Sequence, residues 1–211
     1  MTATYLNYQK IENTPVTQNP FPHIIIDHIF NPFDVATLMQ DYPKINHLGS
    51  IPLHTAKSGP QFQKLIDELM GDELRALIAK KLNMDLSNRP PLITLRGQSG
   101  KRDGHIHTDS KTKLVTVLLY MNPEWESETG HLRLLNDNHN LENYFAEISP
   151  KIGSCIIFKV TDNGWHGYKP FYGERRSIQL NYLVDESVLQ KQVKKHGFSA
   201  FIKKIFKKSE Y

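Results

Sequence analysis

From about Leu92 onward the chain is a succession of short β-rich runs with no helical stretch between them, and no other feature constrains its fold as much. The runs are PLITL (91–95), HIHTD (105–109), KLVTVLLYMN (113–122), GHLRLLN (130–136), SCIIFKV (154–160) and RRSIQLNYLVD (175–185). Turn-forming residues separate them, notably Asn122-Pro123, Asn136-Asp137-Asn138 and Asp162-Asn163-Gly164. Strands that follow one another without crossover helices pair antiparallel, so a sandwich or jelly roll is expected.

The N-terminal part reads differently. Residues 20–30, PFPHIIIDHIF, contain a β-branched run that predicts a short strand before Asn31-Pro32 breaks the chain. Phe33 to Met39 has the look of a helix that stops before Pro43. Over 62–82, Phe62, Leu65, Ile66, Leu69, Leu74, Leu77 and Ile78 mostly follow spacings of three and four, which predicts a helix. The expected class is therefore α+β, with a mainly β core over about 92–184 braced on one face by N-terminal helices. One domain, residues 1–187, accommodates all of this.

Charge marks off the rest. Residues 188–211 hold seven lysines against one acid, while the remaining chain has 19 basic against 21 acidic residues. The basicity belongs to the tail, so no nucleic-acid partner is expected for the body. In the tail, Phe198, Phe201, Ile202, Ile205 and Phe206 recur at helical spacing, with Lys203, Lys204, Lys207 and Lys208 on the other side. This predicts a basic amphipathic C-terminal helix that packs on the body or a second subunit, or makes reversible contact with a membrane surface or a protein. Cys155 is the lone cysteine, so no internal disulfide can form. The opening MTATYLNYQKIENT lacks an export signal. Both point to the cytoplasm.

Two features carry chemistry. Along an extended strand, residues i and i+2 face the same side, so His107 and Asp109 can present an imidazole and a carboxylate to one metal ion. His166, in Gly164-Trp165-His166-Gly167, is the strongest candidate for a third ligand; His105 and His139 compete with it on the same argument. A two-histidine, one-carboxylate face leaves positions open, which suits non-haem Fe(II). In a chain with ten histidines, His-x-Asp alone is a weak signal. The second feature strengthens it. Nine residues after His166, Arg175, Ser177, Gln179 and Asn181 alternate with Arg176, Ile178, Leu180 and Tyr182. A polar face on a long core strand needs a polar occupant, and an anionic cosubstrate provides one. Arg175 can take a carboxylate bidentately, with Ser177 adding a hydrogen bond. Arg176 is the neighbouring alternative; an exposed edge strand is the other explanation for the pattern.

These residues resemble the iron- and 2-oxoglutarate-dependent oxygenases, in particular the prolyl-hydroxylase-like branch. The likeness spans roughly 92–184 and rests on His107-x-Asp109, Thr116 to Asn122, Thr129 to Leu135, Trp165-His166-Gly167 and Gly173-Glu174-Arg175, with Pro20 to Asp27 similar to the start of such domains. The resemblance implies a double-stranded β-helix, with His107, Asp109 and His166 as iron ligands. It makes Arg175 the partner of the distal carboxylate of 2-oxoglutarate and Tyr120 a hydroxyl on the same group. It implies Fe(II), 2-oxoglutarate and O2, with ascorbate as an optional reductant, and hydroxylation of a C–H bond in a protein side chain such as proline, or in a small molecule or glycan. Because halogenating relatives lack the ligand carboxylate, Asp109 favours hydroxylation. Two rivals are an inactive jelly-roll binding module and a cupin-like metalloprotein that does not use 2-oxoglutarate.

Overall fold

The computed structural model describes residues 4–32 and 35–192. The chain runs through α1 (Tyr8–Asn13), β1 (His23–Ile26), α2 (Val35–Gln40), β2 (Ser50–Pro52), α3 (Pro60–Met70), α4 (Asp72–Leu82), β3 (Pro91–Ser99), β4 (Lys113–Tyr120), β5 (Leu132–Leu135), β6 (Tyr144–Ile148), β7 (Cys155–Lys159), β8 (His166–Gly167) and β9 (Gly173–Leu183). The strands form two antiparallel sheets, one ordered β1-β7-β4-β9-β3-β2 and a smaller one ordered β6-β5-β8. This is the expected mainly-β core with N-terminal helices, in the two-sheet arrangement of a double-stranded β-helix. Among the described residues, no helix is long and apolar enough to cross a membrane.

Period-two alternation divides the larger sheet into two faces. Val115, Val117 and Leu119 of β4 and Ile178, Leu180 and Tyr182 of β9 are buried in one core with Phe62, Leu65, Ile66 and Leu69 of α3 and Leu74 and Ile78 of α4. Each such side chain taken from water stabilises the fold by about 1.5–3 kcal/mol before entropy is counted. The opposite face of the same strands carries Thr116, Leu118, Tyr120, Arg175, Ser177 and Gln179, which line a cavity between the sheets. A second, smaller core of Phe21, Tyr120, Leu132, Leu134, Ile148, Ile156 and Phe158 closes one end of that space.

Several expectations need correction. The 62–82 stretch is two helices, not one. Gly71, with extended backbone, ends α3 and precedes α4, whose first turn is acidic as a helix N-terminus favours. The break coincides with the slip in apolar spacing from Leu69 to Leu74. HIHTD is not a strand; only His107 makes a bridge, to His166. The short elements α1, β2 and β6 carry no signal strong enough to single them out. β9 is a central strand between β4 and β3, so the edge-strand explanation of its polar face fails. Residues 186–192 are helical, but the apolar stripe from Phe198 to Phe206 lies outside the described residues.

Candidate metal and cosubstrate site

The site is built from a backbone exchange. The His107 amide donates to the His166 carbonyl at 3.0 Å, and the His166 amide donates to the His107 carbonyl at 2.9 Å. Such a doubly bonded antiparallel pair sets its two side chains side by side, and the imidazole centroids lie 4.3 Å apart. Asp109 joins them, and ligand atoms of His107, Asp109 and His166 all fall within 4.8 Å of one another. The pairing across to β8, rather than regular strand parity, brings the first two together.

Each ring is fixed by the same local device. His107 Nδ1 sits 2.8 Å from the His105 carbonyl, and His166 Nδ1 sits 2.9 Å from the Gly164 carbonyl. A carbonyl only accepts, so both Nδ1 atoms carry the proton and both Nε2 atoms keep a lone pair for a metal. His105 thus contributes its carbonyl, while its side chain is exposed. His139 is in a surface turn, with Nε2 3.9 Å from Asp137, and belongs to no metal-competent cluster. Neither rival histidine joins the ligand cluster, although His105 lines the same cavity.

The carboxylate is held at both oxygens. Lys113 Nζ lies 2.7 Å from Asp109 Oδ1, and the Thr116 hydroxyl donates to Oδ2. Thr116 in turn accepts from Asn181 Nδ2 at 2.7 Å, and Asn181 Oδ1 accepts from Gln179 Nε2 at 3.1 Å. The chain of donors has one direction, because an amide N–H can only give. Thr116 must therefore aim its proton at Asp109. Thr116 and Asn181 face each other in the β4–β9 register. Sequence reasoning passed over Thr116 and Lys113, although a threonine inside the apolar run KLVTVLLY, in phase with Tyr120, was the available signal. Thr116→Val or Asn181→Leu is expected to weaken Fe(II) binding by about 10–100-fold, the usual cost of losing an outer-shell partner. Unchanged affinity in calorimetric titration with Fe(II) would show that the relay does not orient the carboxylate.

Burial sets the electrostatics. His166 is pushed down to about 4, first by burial and then by the neighbouring His107. Burial raises the Asp109 carboxyl, but Lys113, His166 and the Thr116 hydroxyl together hold it below the usual carboxylate value. The imidazole is therefore neutral and the carboxylate charged at neutral pH, as metal ligands must be. For the metal-free protein this has a consequence for stability. Between about pH 6.5 and 4 the unfolded chain binds a proton at residue 166 that the folded chain refuses, so stability falls as pH falls through that window. The loss is about 3 kcal/mol, and under chelator the urea midpoint of wild type should fall relative to that of His166→Gln as pH drops from 6.5 to 4. Parallel curves would contradict the burial argument.

Arg175, Tyr120 and Ser177 gather at the other end of the cavity. Arg175 is 3% exposed and Tyr120 fully buried. Arg175 Nε donates to the Gly130 carbonyl at 2.9 Å and Nη2 donates to the Tyr120 hydroxyl at 3.0 Å. Tyr120 accepts there, so its own proton is left to donate; burial, against the pull of Arg175, keeps the phenol protonated. Tyr168 lies over the guanidinium at 4.0 Å and fixes its plane, and its hydroxyl is 2.9 Å from Ser99 Oγ. Gly104, at φ +91°, packs so closely on Tyr168 that a Cβ would sit 2.3 Å from the Tyr168 carbonyl. Ser177 is opposite Tyr120 in the β4–β9 register and also lines the cavity. Arg176 points elsewhere, pairing with Glu174 at 2.8 Å. The cavity measures about 280 Å³ and holds triad and arginine together. Two Nε2 lone pairs and a charged carboxylate on one side fit a facially bound Fe(II). The unspent donors of Arg175, with the Tyr120 proton, fit a carboxylate at the other.

Comparison with known proteins agrees with this geometry. Residues 95–183, from β3 to the end of β9, match the family model described as the 2OG-Fe(II) oxygenase superfamily. Among solved structures, a prolyl-4-hydroxylase from Pseudomonas putida aligns at TM-score 0.52 and 18% identity, covering 83% of this chain and 90% of its own. A prolyl 4-hydroxylase from Phytophthora capsici aligns at 0.56 and 18%, covering 87% and 67%. A Trichoplax adhaerens prolyl hydroxylase, solved with a hypoxia inducible factor peptide fragment, aligns at 0.51 and 20%, covering 83% and 88%. At these identities the likeness concerns the fold. No curated protein matches the chain.

Proposed function

We propose that this chain, which belongs to the 2OG-Fe(II) oxygenase superfamily, is a hydroxylase that inserts one oxygen atom of O2 into a substrate C–H bond. The observation that carries the reading is the placing of a His-Asp-His cluster and a buried Arg175–Tyr120 pair in one cavity. His107 and His166 would hold Fe(II) through Nε2, and Asp109 through its carboxylate. Held there together with 2-oxoglutarate, Fe(II) would supply the chemistry of oxidative decarboxylation to succinate and CO2, with the second oxygen atom of O2 going to substrate.

The protein's own work is orientation and charge. Arg175 and the Tyr120 proton would take the distal carboxylate of 2-oxoglutarate, with Ser177 beside them. That leaves the 2-oxo acid end directed at the triad. Lys113 and Thr116 keep Asp109 ionised and aimed. Leu118, Leu132 and Phe158 line the same cavity and keep this end poor in water. The prolyl hydroxylases of like fold make a protein prolyl side chain one substrate to test, beside a small molecule or glycan.

Anaerobic addition of Fe(II) and then 2-oxoglutarate tests the reading. A visible metal-to-ligand charge-transfer band should appear, and admitting O2 should produce succinate. A protein that binds Fe(II) but gives neither band nor succinate would be a metalloprotein of another kind.

A further inference from the structure

The apolar filling between the two sheets stops at β4. Its buried members come from the segment before β1 and from β4, β5, β6 and β7, and none comes from β9, β3 or β2. Beyond β4 the cavity wall continues as polar side chains: Gln179 of β9, Thr94 and Arg96 of β3, and Ser50 of β2. On β3 the alternation is strict, with Ile93 and Leu95 buried against the helices and Thr94 and Arg96 on the cavity side. Arg96 lies opposite Ser177, which lies opposite Tyr120, so the polar wall adjoins the cosubstrate end directly. Neither iron nor 2-oxoglutarate accounts for Thr94, Arg96 or the loop residues Arg102 and Asp103 that line the same cavity.

Arg96 is anchored without being used up. Its Nη1 is 2.7 Å from Asp103 Oδ2, a contact of charges that is not aligned as a hydrogen bond. Asp103 is itself fixed by the Gly100 amide at 2.9 Å. The guanidinium fork is not engaged bidentately, and that fork matches a carboxylate. With exposed Arg102 on the loop, two cations face one acid here, so an anionic group is favoured. Among the described residues, the Phe and Tyr side chains that line the cavity are Tyr120, Phe158 and Tyr168, none of them on β2 or β3, and Tyr120 and Tyr168 lie against the Arg175 guanidinium.

We propose that Thr94, Arg96 and Asp103 form the substrate subsite, and that it takes a hydrophilic, carboxylate-bearing small molecule. Arg96 receives the carboxylate, while the Thr94 hydroxyl and the free Asp103 oxygen pair with substrate hydroxyls. The proposal rests on the Fe(II)/2-oxoglutarate reading above.

The test is anaerobic titration of the Fe(II)–2-oxoglutarate protein, following the charge-transfer band. D-glucuronate should shift the band, and D-glucose, its neutral analogue, should bind at least tenfold more weakly. Arg96→Gln should weaken D-glucuronate at least tenfold while changing 2-oxoglutarate affinity less than about threefold. Thr94→Val, which keeps the side-chain shape, should weaken it by a smaller factor. The proposal is overturned if glucose and glucuronate bind alike, or if a proline-rich peptide shifts the band and glucuronate does not. It is also overturned if Arg96→Gln acts on 2-oxoglutarate instead. Absence of any band before substrate is added would overturn the cosubstrate reading, and this one with it.

Discussion

Replacing His166 by alanine is expected to lower succinate formation by at least about 10³-fold while the domain stays folded. Outer-shell partners of metal ligands already carry about 10–100-fold each, and loss of one of three ligands exceeds that. Removing His166 leaves no unpaired charge, because it is buried neutral; the cost to the fold is a small void and the loss of one donor to the Gly164 carbonyl. Asp109→Ala should be as damaging to turnover but more damaging to the fold. It leaves Lys113 and the Thr116 hydroxyl without their acceptor, at about 1–3 kcal/mol for each buried donor. Asp109→Asn separates the two effects, since the amide keeps an acceptor for Thr116 but supplies no anionic ligand. Succinate assays beside circular dichroism and calorimetric Fe(II) binding read all three. If His166→Ala keeps near-normal iron binding and succinate while His105→Ala or His139→Ala loses both, the triad is misassigned.

The parts of this molecule that could be read from the chain are those where one periodicity holds over a long run. RRSIQLNY alternates because its strand is central, apolar toward the helices and mostly polar toward the cavity, while KLVTVLLY, apolar on most of both faces, reads as a buried central strand. Elements without such a run were illegible. β2 has three residues and ends in proline, and β6 (Tyr144–Ile148) buries only Ile148 fully, so its alternation is faint. At Gly71 the apolar spacing itself slips, and Asp72 and Glu73 are the acidic first turn of a new helix, a break hidden only by the good helix formers on either side. The site divides the same way. His107, Asp109, His166 and Arg175 stand out by residue type and spacing. The mutual bonding of His107 with His166 joins positions 59 apart in the sequence, and the Gln179–Asn181–Thr116–Asp109 relay depends on the β4–β9 register. No local pattern encodes either. Arg175 could be told from Arg176 by strand phase alone, because consecutive side chains leave a strand on opposite faces.

That distinction leads to the second large effect. Arg175→Ala is expected to weaken 2-oxoglutarate by about 3–5 kcal/mol, several hundredfold at least, with Fe(II) affinity little changed. The size follows from desolvation. Arg175 is 3% exposed, bonded to the Gly130 carbonyl and the Tyr120 hydroxyl and covered by Tyr168. A cosubstrate carboxylate that enters this place without the guanidinium is a buried charge with one phenol for company. Arg175→Lys restores the charge but not the planar fork and should recover only part of the loss. Tyr120→Phe removes one hydrogen bond to a charged group, so about 1.5–3 kcal/mol is expected. Arg176→Ala should change 2-oxoglutarate binding little, because its ion pair with Glu174 is on the surface, where such pairs are worth about 0–1 kcal/mol. Titrations of 2-oxoglutarate into the Fe(II)-loaded variants give the order directly. An order with Arg176→Ala weaker than Arg175→Ala would mean that the cosubstrate carboxylate lies on the other face of β9, away from the cavity that holds the triad.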